Sequence, residues 1–159
     1  MAATHTLWRI AKHTAQFDAD DLSGGGAKIT GGRWNSKGRA VLYASTSIAL
    51  ATLETLVHLG DNIAIRNAFL VRIEVPNALW RQRQTLEAKS LPSTWLAEPP
   101  GSTSIRAGDK WLMAQSSALL LVPSVIVPEE YNVLINPQHP ASTQVKASVQ
   151  RQFLYDVRL

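Results

Sequence analysis

The sequence predicts an α+β fold with a mixed, strongly twisted sheet core and flanking helices, and three observations carry that prediction. Only two stretches combine helical periodicity with end signals, whereas six or seven short runs read as strands. Those strands follow one another too closely for repeated βαβ units. At 159 residues and 45% hydrophobic content the chain suits one well-buried core and is short for two, so residues 1–159 are read as one domain.

Taken in order, residues 6–10 form a first strand centred on Trp8 and Arg9, followed by a polar stretch over 12–23. Residues 24–32 carry five glycines in nine positions, which predicts irregular backbone able to approach a ligand closely. Residues 39–44 read as a buried strand through Tyr43. Ser45 or Thr46 then caps a helix running to about Leu59, with Gly60 as its stop. On a helical wheel Ala49, Leu50, Leu53, Leu56 and Val57 share one arc, and Glu54 falls at its edge beside His58 and Ala51. Residues 68–75 alternate as a central strand ended by Pro76. Pro92, Pro99 and Pro100 break up 80–101, read as a surface excursion with one short helix. Ser104 caps a second helix to about Gln115, in which Trp111 and Leu112 supply core bulk. Residues 118–122, 124–127 and 133–135 are apolar runs bounded by Pro123, Pro128 and Pro137, expected as buried strands. Residues 142–149 read as helical or irregular, and 152–155 as a last strand.

Composition narrows the function classes. The absence of cysteine excludes a disulfide framework and thiolate metal sites, and suits a reducing cytoplasm, where the chain is expected. Residues 1–9 lack the apolar core of a signal peptide, and the longest apolar stretch, 118–127, is interrupted by Pro123 and Ser124, so no membrane association is expected. The net charge of +4 favours anionic partners, but the cations are scattered, which suits a small anion or an acidic protein at least as well as nucleic acid. The four histidines do not cluster and His-x-x-x-His spacing is absent, so no metal is expected.

Several residues carry more than one reading. The glycine segment matches neither a Rossmann turn nor a P-loop; it is either a mobile turn or a loop that brings Arg33 to phosphate oxygens. Glu54 is a solvated charge, a partner of His58 one turn on, or a site carboxylate. His58 itself suits the negative end of its helix. Ser124, set in an apolar run, either bonds to backbone or joins a site.

Leu7-Trp8-Arg9, Gly31-Gly32-Arg33-Trp34-Asn35, Leu42-Tyr43-Ala44, Glu54 with Leu56-Val57-His58, Gly108-Asp109-Lys110-Trp111, Leu121-Val122-Pro123-Ser124 and Asn132 to Asn136 with Pro137, His139 and Pro140 together resemble the RES domain. The ordered set spans nearly the whole chain. The resemblance implies an ADP-ribosyltransferase-like fold and the toxin of a bacterial toxin–antitoxin pair. It implies NAD as substrate, cleaved between nicotinamide and ribose by hydrolysis or phosphorolysis, or alternatively used to ADP-ribosylate a protein target. The implied partner is an Xre-like helix-turn-helix antitoxin covering the site, and the toxin itself is not expected to bind nucleic acid. By position the implied catalytic residues are Arg33, Glu54 and Ser124, with Tyr43, Arg33 and Ser124 as NAD contacts.

The chemistry of these residue types is consistent with that assignment. A guanidinium binds pyrophosphate bidentately, and a carboxylate stabilises the oxocarbenium-like charge that develops as nicotinamide leaves. A tyrosine stacks on the cationic ring for up to about 2 kcal/mol. A serine without an evident base suits hydrogen bonding to the ribose or ring amide better than nucleophilic attack. Two rivals stand beside it. An RNA-cleaving toxin is suggested by the basic charge and five tryptophans. A non-catalytic nucleotide-binding module would use Arg33 and the glycines without any chemistry at Glu54.

Overall fold

The computed structural model describes residues 3–58 and 67–159, so the expected helix stop at Leu59 and Gly60 lies outside the described residues. Among the described residues seven strands are present: β1 (Thr4–Ala11), β2 (Leu42–Ser45), β3 (Phe69–Pro76), β4 (Gln84–Thr85), β5 (Leu119–Pro123), β6 (Tyr131–Ile135) and β7 (Lys146–Gln152). They form one sheet in the order β4-β5-β6-β2-β1-β3-β7, antiparallel throughout except for β4 beside β5. Four α-helices accompany it among the described residues: α1 (Gly25–Thr30), α2 (Ile48–Leu56), α3 (Asn77–Arg81) and α4 (Ser102–Ala114). The α+β class expected from strand spacing is the one observed. Among the described residues no helix is long and apolar enough to cross a membrane.

The sheet has two well-paired halves and one sparse seam. β1 and β3 pair along their full length, from Thr4 opposite Pro76 to Ala11 opposite Phe69, and β7 extends β3. β6 pairs with both β2 and β5. Between the halves β1 meets β2 at a single registered pair, Trp8 opposite Ser45.

Alternation of side chains along each strand distributes the core over both faces. β5 sends Leu119 and Leu121 to a cluster with Leu7, Leu42, Ile73 and Val133. It sends Leu120 and Val122 to a second cluster with Trp34, Trp95, Trp111 and Leu134. A third cluster, Ile10, Ala51, Leu70 and Phe153, seats α2 on the β1–β3 half.

Several expectations are corrected. Residues 24–32 are not irregular throughout: Gly24 and Gly31 take left-handed backbone at the ends (φ 69° at each) and residues between them close a short helix, with Gly31 N–H bonded to Ala27 O at 2.8 Å. The cap of α2 is Ser47, whose hydroxyl accepts from Leu50 N, because Ser45 is still in β2. The predicted apolar arc of that helix is only partly buried, since Leu53 is 38% and Val57 62% exposed while Ala51 is buried. A nine-residue helix that is apolar around most of its circumference gives the wheel little to choose between faces. α4 begins at Ser102 after Gly101, and Ser104, the expected cap, is buried within it.

The excursion over 80–101 holds the end of α3, β4 and two 3₁₀ turns, Ala88–Ser90 and Ser93–Leu96, and it buries Trp95. Pro92 starts the second turn rather than breaking structure, its carbonyl accepting from Trp95 N. Residues 124–127 form a turn instead of a strand, because Pro123 ends β5 and the Ser124 hydroxyl accepts the Ile126 and Val127 amides. Residues 142–149 divide between a 3₁₀ turn, Pro140–Gln144, and β7, which ends at Gln152 where a strand was expected to begin. β7 is an exposed edge strand of mostly polar residues, so it lacks the apolar alternation that makes a strand readable.

Candidate active site

Glu54 stands on the last turn of α2, and its Oε1 accepts two hydrogen bonds from the other half of the sheet. Ser124 Oγ donates at 2.6 Å and Asn132 Nδ2 at 2.8 Å. Ser124 follows directly on β5, one alternation beyond Val122, and is fully buried. Its hydroxyl gives its one proton to Glu54 and accepts both turn amides at 3.1 Å, which exhausts its capacity. In this conformation Ser124 meets Glu54 rather than an outside molecule. Asn132 lies opposite Ser45 in the β2–β6 register, and Ser45 Oγ donates to Asn132 Oδ1 at 2.7 Å.

Arg33 belongs to a second group of residues, reached two residues back along β2. Gly32 and Asn35 form an isolated bridge that turns the chain after α1. Gly32 permits a close approach: a Cβ there would lie 2.8 Å from the Tyr43 hydroxyl oxygen. Tyr43 accepts from Trp34 N at 3.1 Å and donates to Asn35 Oδ1 at 2.6 Å. Burial pushes the Tyr43 phenol well above its ordinary range, against a smaller lowering by the Trp34 amide, so it is a neutral donor here. Asn35, fully buried, ties this turn to α1 and to the segment before β2 by donating to Ala27 O and Arg39 O.

The Arg33 guanidinium donates to Trp95 O at 3.1 Å, to Ala97 O at 2.8 Å and to the Glu98 carboxylate at 2.5 Å. Its side chain is 15% exposed, whereas that of Glu98 is 72% exposed. Beneath it α4 braces the turn. Asp109 accepts from Ser36 N and Oγ, and a Cβ on Gly108 would lie 1.7 Å from Trp34 O. The Gly108-Asp109 pair is therefore a packing device for the arginine turn.

A second cation enters from β1. Arg9 Nη1 donates to the Tyr43 carbonyl at 2.8 Å, while its buried Nε has no hydrogen-bond partner among the described residues. Burial lowers its pKa, opposed by the nearby Asp21 carboxylate. Arg9 lines a cavity of about 280 Å³ together with Phe17, Asp21, Gly24, Gly25 and Val41. The glycine segment expected to approach a ligand thus borders this cavity.

The structure brings Glu54 and Ser124 into direct contact and gathers Arg33 and Tyr43 around the Trp34 backbone, with β2 joining the two groups. Successive same-face residues on a strand lie about 7 Å apart, so Tyr43 and Ser45 set that spacing. Arg33 is spent on the Ser93–Leu96 turn and Glu98 rather than on Glu54. Glu54 takes its bonds from Ser124 and Asn132, not from His58. Sequence reasoning missed Asn132, Ser45, Asn35, Arg9 and Glu98 as participants. The motif strings contain Asn132, Asn35 and Arg9 but give no sign of their contacts, and Glu98 lies in the stretch read as an excursion. Trp34, Trp95 and Trp111 are core residues, which leaves two of the five tryptophans for the base stacking that an RNA-cleaving reading invokes.

A family model described as the RES domain matches residues 6–156. A protein of Sphingobium sp. (strain YBL2) named Prs ADP-ribosylating toxin is 52% identical over 98% of this chain and 97% of its own. A Toxin Res of Yersinia enterocolitica is 38% identical over 96% of this chain and 98% of its own. A Toxin Res of Photorhabdus laumondii is 43% identical over 82% of this chain and 81% of its own.

Proposed function

The chain belongs to the RES domain family of toxins, and from that premise we propose that it cleaves the nicotinamide–ribose bond of NAD at Glu54. The observation that carries the proposal is the Glu54 carboxylate held by Ser124 and Asn132 at the end of α2. As the bond breaks, its electron pair leaves with the ring, nicotinamide departs neutral and positive charge spreads over ribose C1 and the ring oxygen. A carboxylate fixed beforehand beside that carbon stabilises the charge without reorganising during the step. Glu54 is the catalytic residue in this scheme and Ser124 its positioning residue, which replaces a direct contact between Ser124 and the substrate. Arg33 and Arg9 supply cations for the pyrophosphate, and the Tyr43 ring supplies a face for the nicotinamide. Residues 1–159 act as one domain in the cytoplasm.

The acceptor of ADP-ribose divides the reading. Transfer to a protein is favoured by the 52% identical relative, whose name states that it ADP-ribosylates Prs. Exposed Leu53 and Ile126, neighbours in sequence of Glu54 and Ser124, add apolar surface of a kind a protein acceptor covers. Water or phosphate as acceptor gives depletion of NAD instead. An Xre-like antitoxin covering the site is the regulatory partner that family membership suggests.

Purified protein incubated with NAD, with and without phosphate, and then with labelled NAD and Prs, tests the proposal through nicotinamide release and label transfer. Glu54→Gln is expected to lower release about 100- to 1000-fold with the fold retained. Arg33→Ala is expected to raise KM for NAD. A Glu54→Gln protein that releases nicotinamide as fast as the wild type would end the assignment of Glu54; no release from the wild type with any acceptor, and a Glu54→Gln protein equally toxic, would leave the non-catalytic module standing.

A further inference from the structure

The geometry points to Asn132 as a positioning residue that decides which oxygen of Glu54 meets the substrate, with Ser45 supporting the direction of the Asn132 amide. The inference rests on the reading of Glu54 as the residue at which NAD is cleaved.

Both donors to Glu54 converge on one oxygen, Oε1. Oε2 takes no hydrogen bond among the described residues. One donor alone would leave the carboxylate free to swing about a single hydrogen bond. A second donor, from β6 rather than from the turn after β5, fixes its plane. Oε2 is thereby the oxygen turned toward ribose, and Oε1 is the anchored one.

An amide serves this purpose in only one of its two orientations. Nδ2 donates, whereas Oδ1 facing Glu54 would set acceptor against acceptor. Glu54, which only accepts, draws Nδ2 toward itself, and Ser45 Oγ donates to Oδ1 at 2.7 Å from the facing position on β2, which supports that orientation. Ser45 is 4% exposed, so its proton has little access to water as an alternative partner. The chain of donors therefore runs from Ser45 to Asn132 to Glu54, across β2, β6 and α2.

Three variants test this, assayed by nicotinamide release at saturating and limiting NAD, with circular dichroism to check the fold. Asn132→Ala is expected to lower kcat about 10- to 100-fold, the loss of one hydrogen bond to a charged group, with KM changed less than about threefold. Ser45→Ala is expected to cost about two- to fivefold, by the same reasoning for a neutral bond one step removed. Asn132→Asp matches the native residue in size yet faces Glu54 with a second carboxylate, so it falls below Asn132→Ala. A space-filling role predicts the opposite order. Folded Asn132→Asp more active than Asn132→Ala, or Asn132→Ala at wild-type kcat, overturns the inference. If the wild type releases no nicotinamide with water, phosphate or Prs as acceptor, the NAD reading fails. The same ranking is then read from growth arrest on induction, where Asn132→Ala as toxic as the wild type overturns the positioning role.

Discussion

Glu54 and Arg33 are held by different kinds of partner. Glu54 takes its hydrogen bonds from Ser124, fully buried, and from Asn132, locked in register on β6. Arg33 gives its bonds to two carbonyls of a 3₁₀ segment and to Glu98, a carboxylate standing largely in water. A carboxylate that must meet a transient charge gains from being immobile before the reaction. A guanidinium that must receive an anionic ligand needs an occupant it can exchange, and a solvent-exposed ion pair costs little to break. The carboxylate end is therefore preorganised, and the guanidinium end is exchangeable on a rigid base.

The base of the guanidinium end gives the largest expected effect. Gly108→Ala places a methyl group 1.7 Å from Trp34 O, so α4 or the arginine turn must shift; a loss of about 3 kcal/mol is expected from chemical denaturation. An unchanged unfolding midpoint would show that this base is softer than its geometry.

Ser124→Ala attacks the preorganised end. Turnover is expected to fall about 10- to 100-fold as Glu54 loses one of its two bonds, with stability lowered by about 1–2 kcal/mol because two turn amides lose their acceptor. Full activity would mean that Asn132 alone suffices.

Tyr43→Phe removes the bonds to Asn35 and Trp34 N while keeping the ring, for about 1 kcal/mol of stability and little change in turnover. Because burial raises the folded phenol's pKa, its contribution is fully present below the ordinary value of about 10 and is lost as the pH rises above it. The variant should accordingly show a flatter alkaline limb in a stability–pH profile. An identical limb would place the alkaline transition elsewhere.

Glu98→Ala has the smallest expected effect and separates the two ends most directly. Freed of its exposed partner, Arg33 is expected to lower KM for NAD about two- to fivefold at low salt, an advantage that fades as salt is added, with kcat unchanged. A fall in kcat instead would mean that Glu98 holds Arg33 in its working position.

What was legible in the sequence follows the same division between local and distant causes. The strands around Leu7, Tyr43, Ile73, Leu120 and Val133 announce themselves through apolar runs, and α4 through its periodicity. Glu54 and Ser124 were singled out by an ordered set of motifs, but their hydrogen bond joins positions 70 apart, which no periodicity encodes. Asn132 and Ser45 face each other only because β2 and β6 pair in one register. α1 was hidden because its glycines are poor helix formers in isolation, and Phe17, Asn35 and Val41 hold it from outside.

The sparse seam between β1 and β2 gives Glu54 a mechanical part as well. α2 rides on the β1–β3 half of the sheet, whereas Ser124 and Asn132 sit on the half that contains β5 and β6. The hydrogen bonds at Glu54 therefore act as a clasp across a joint that the backbone itself closes at one registered pair. Slow opening of that joint would part the carboxylate from both donors at once, so amide exchange along β2 should quicken whenever the clasp is undone.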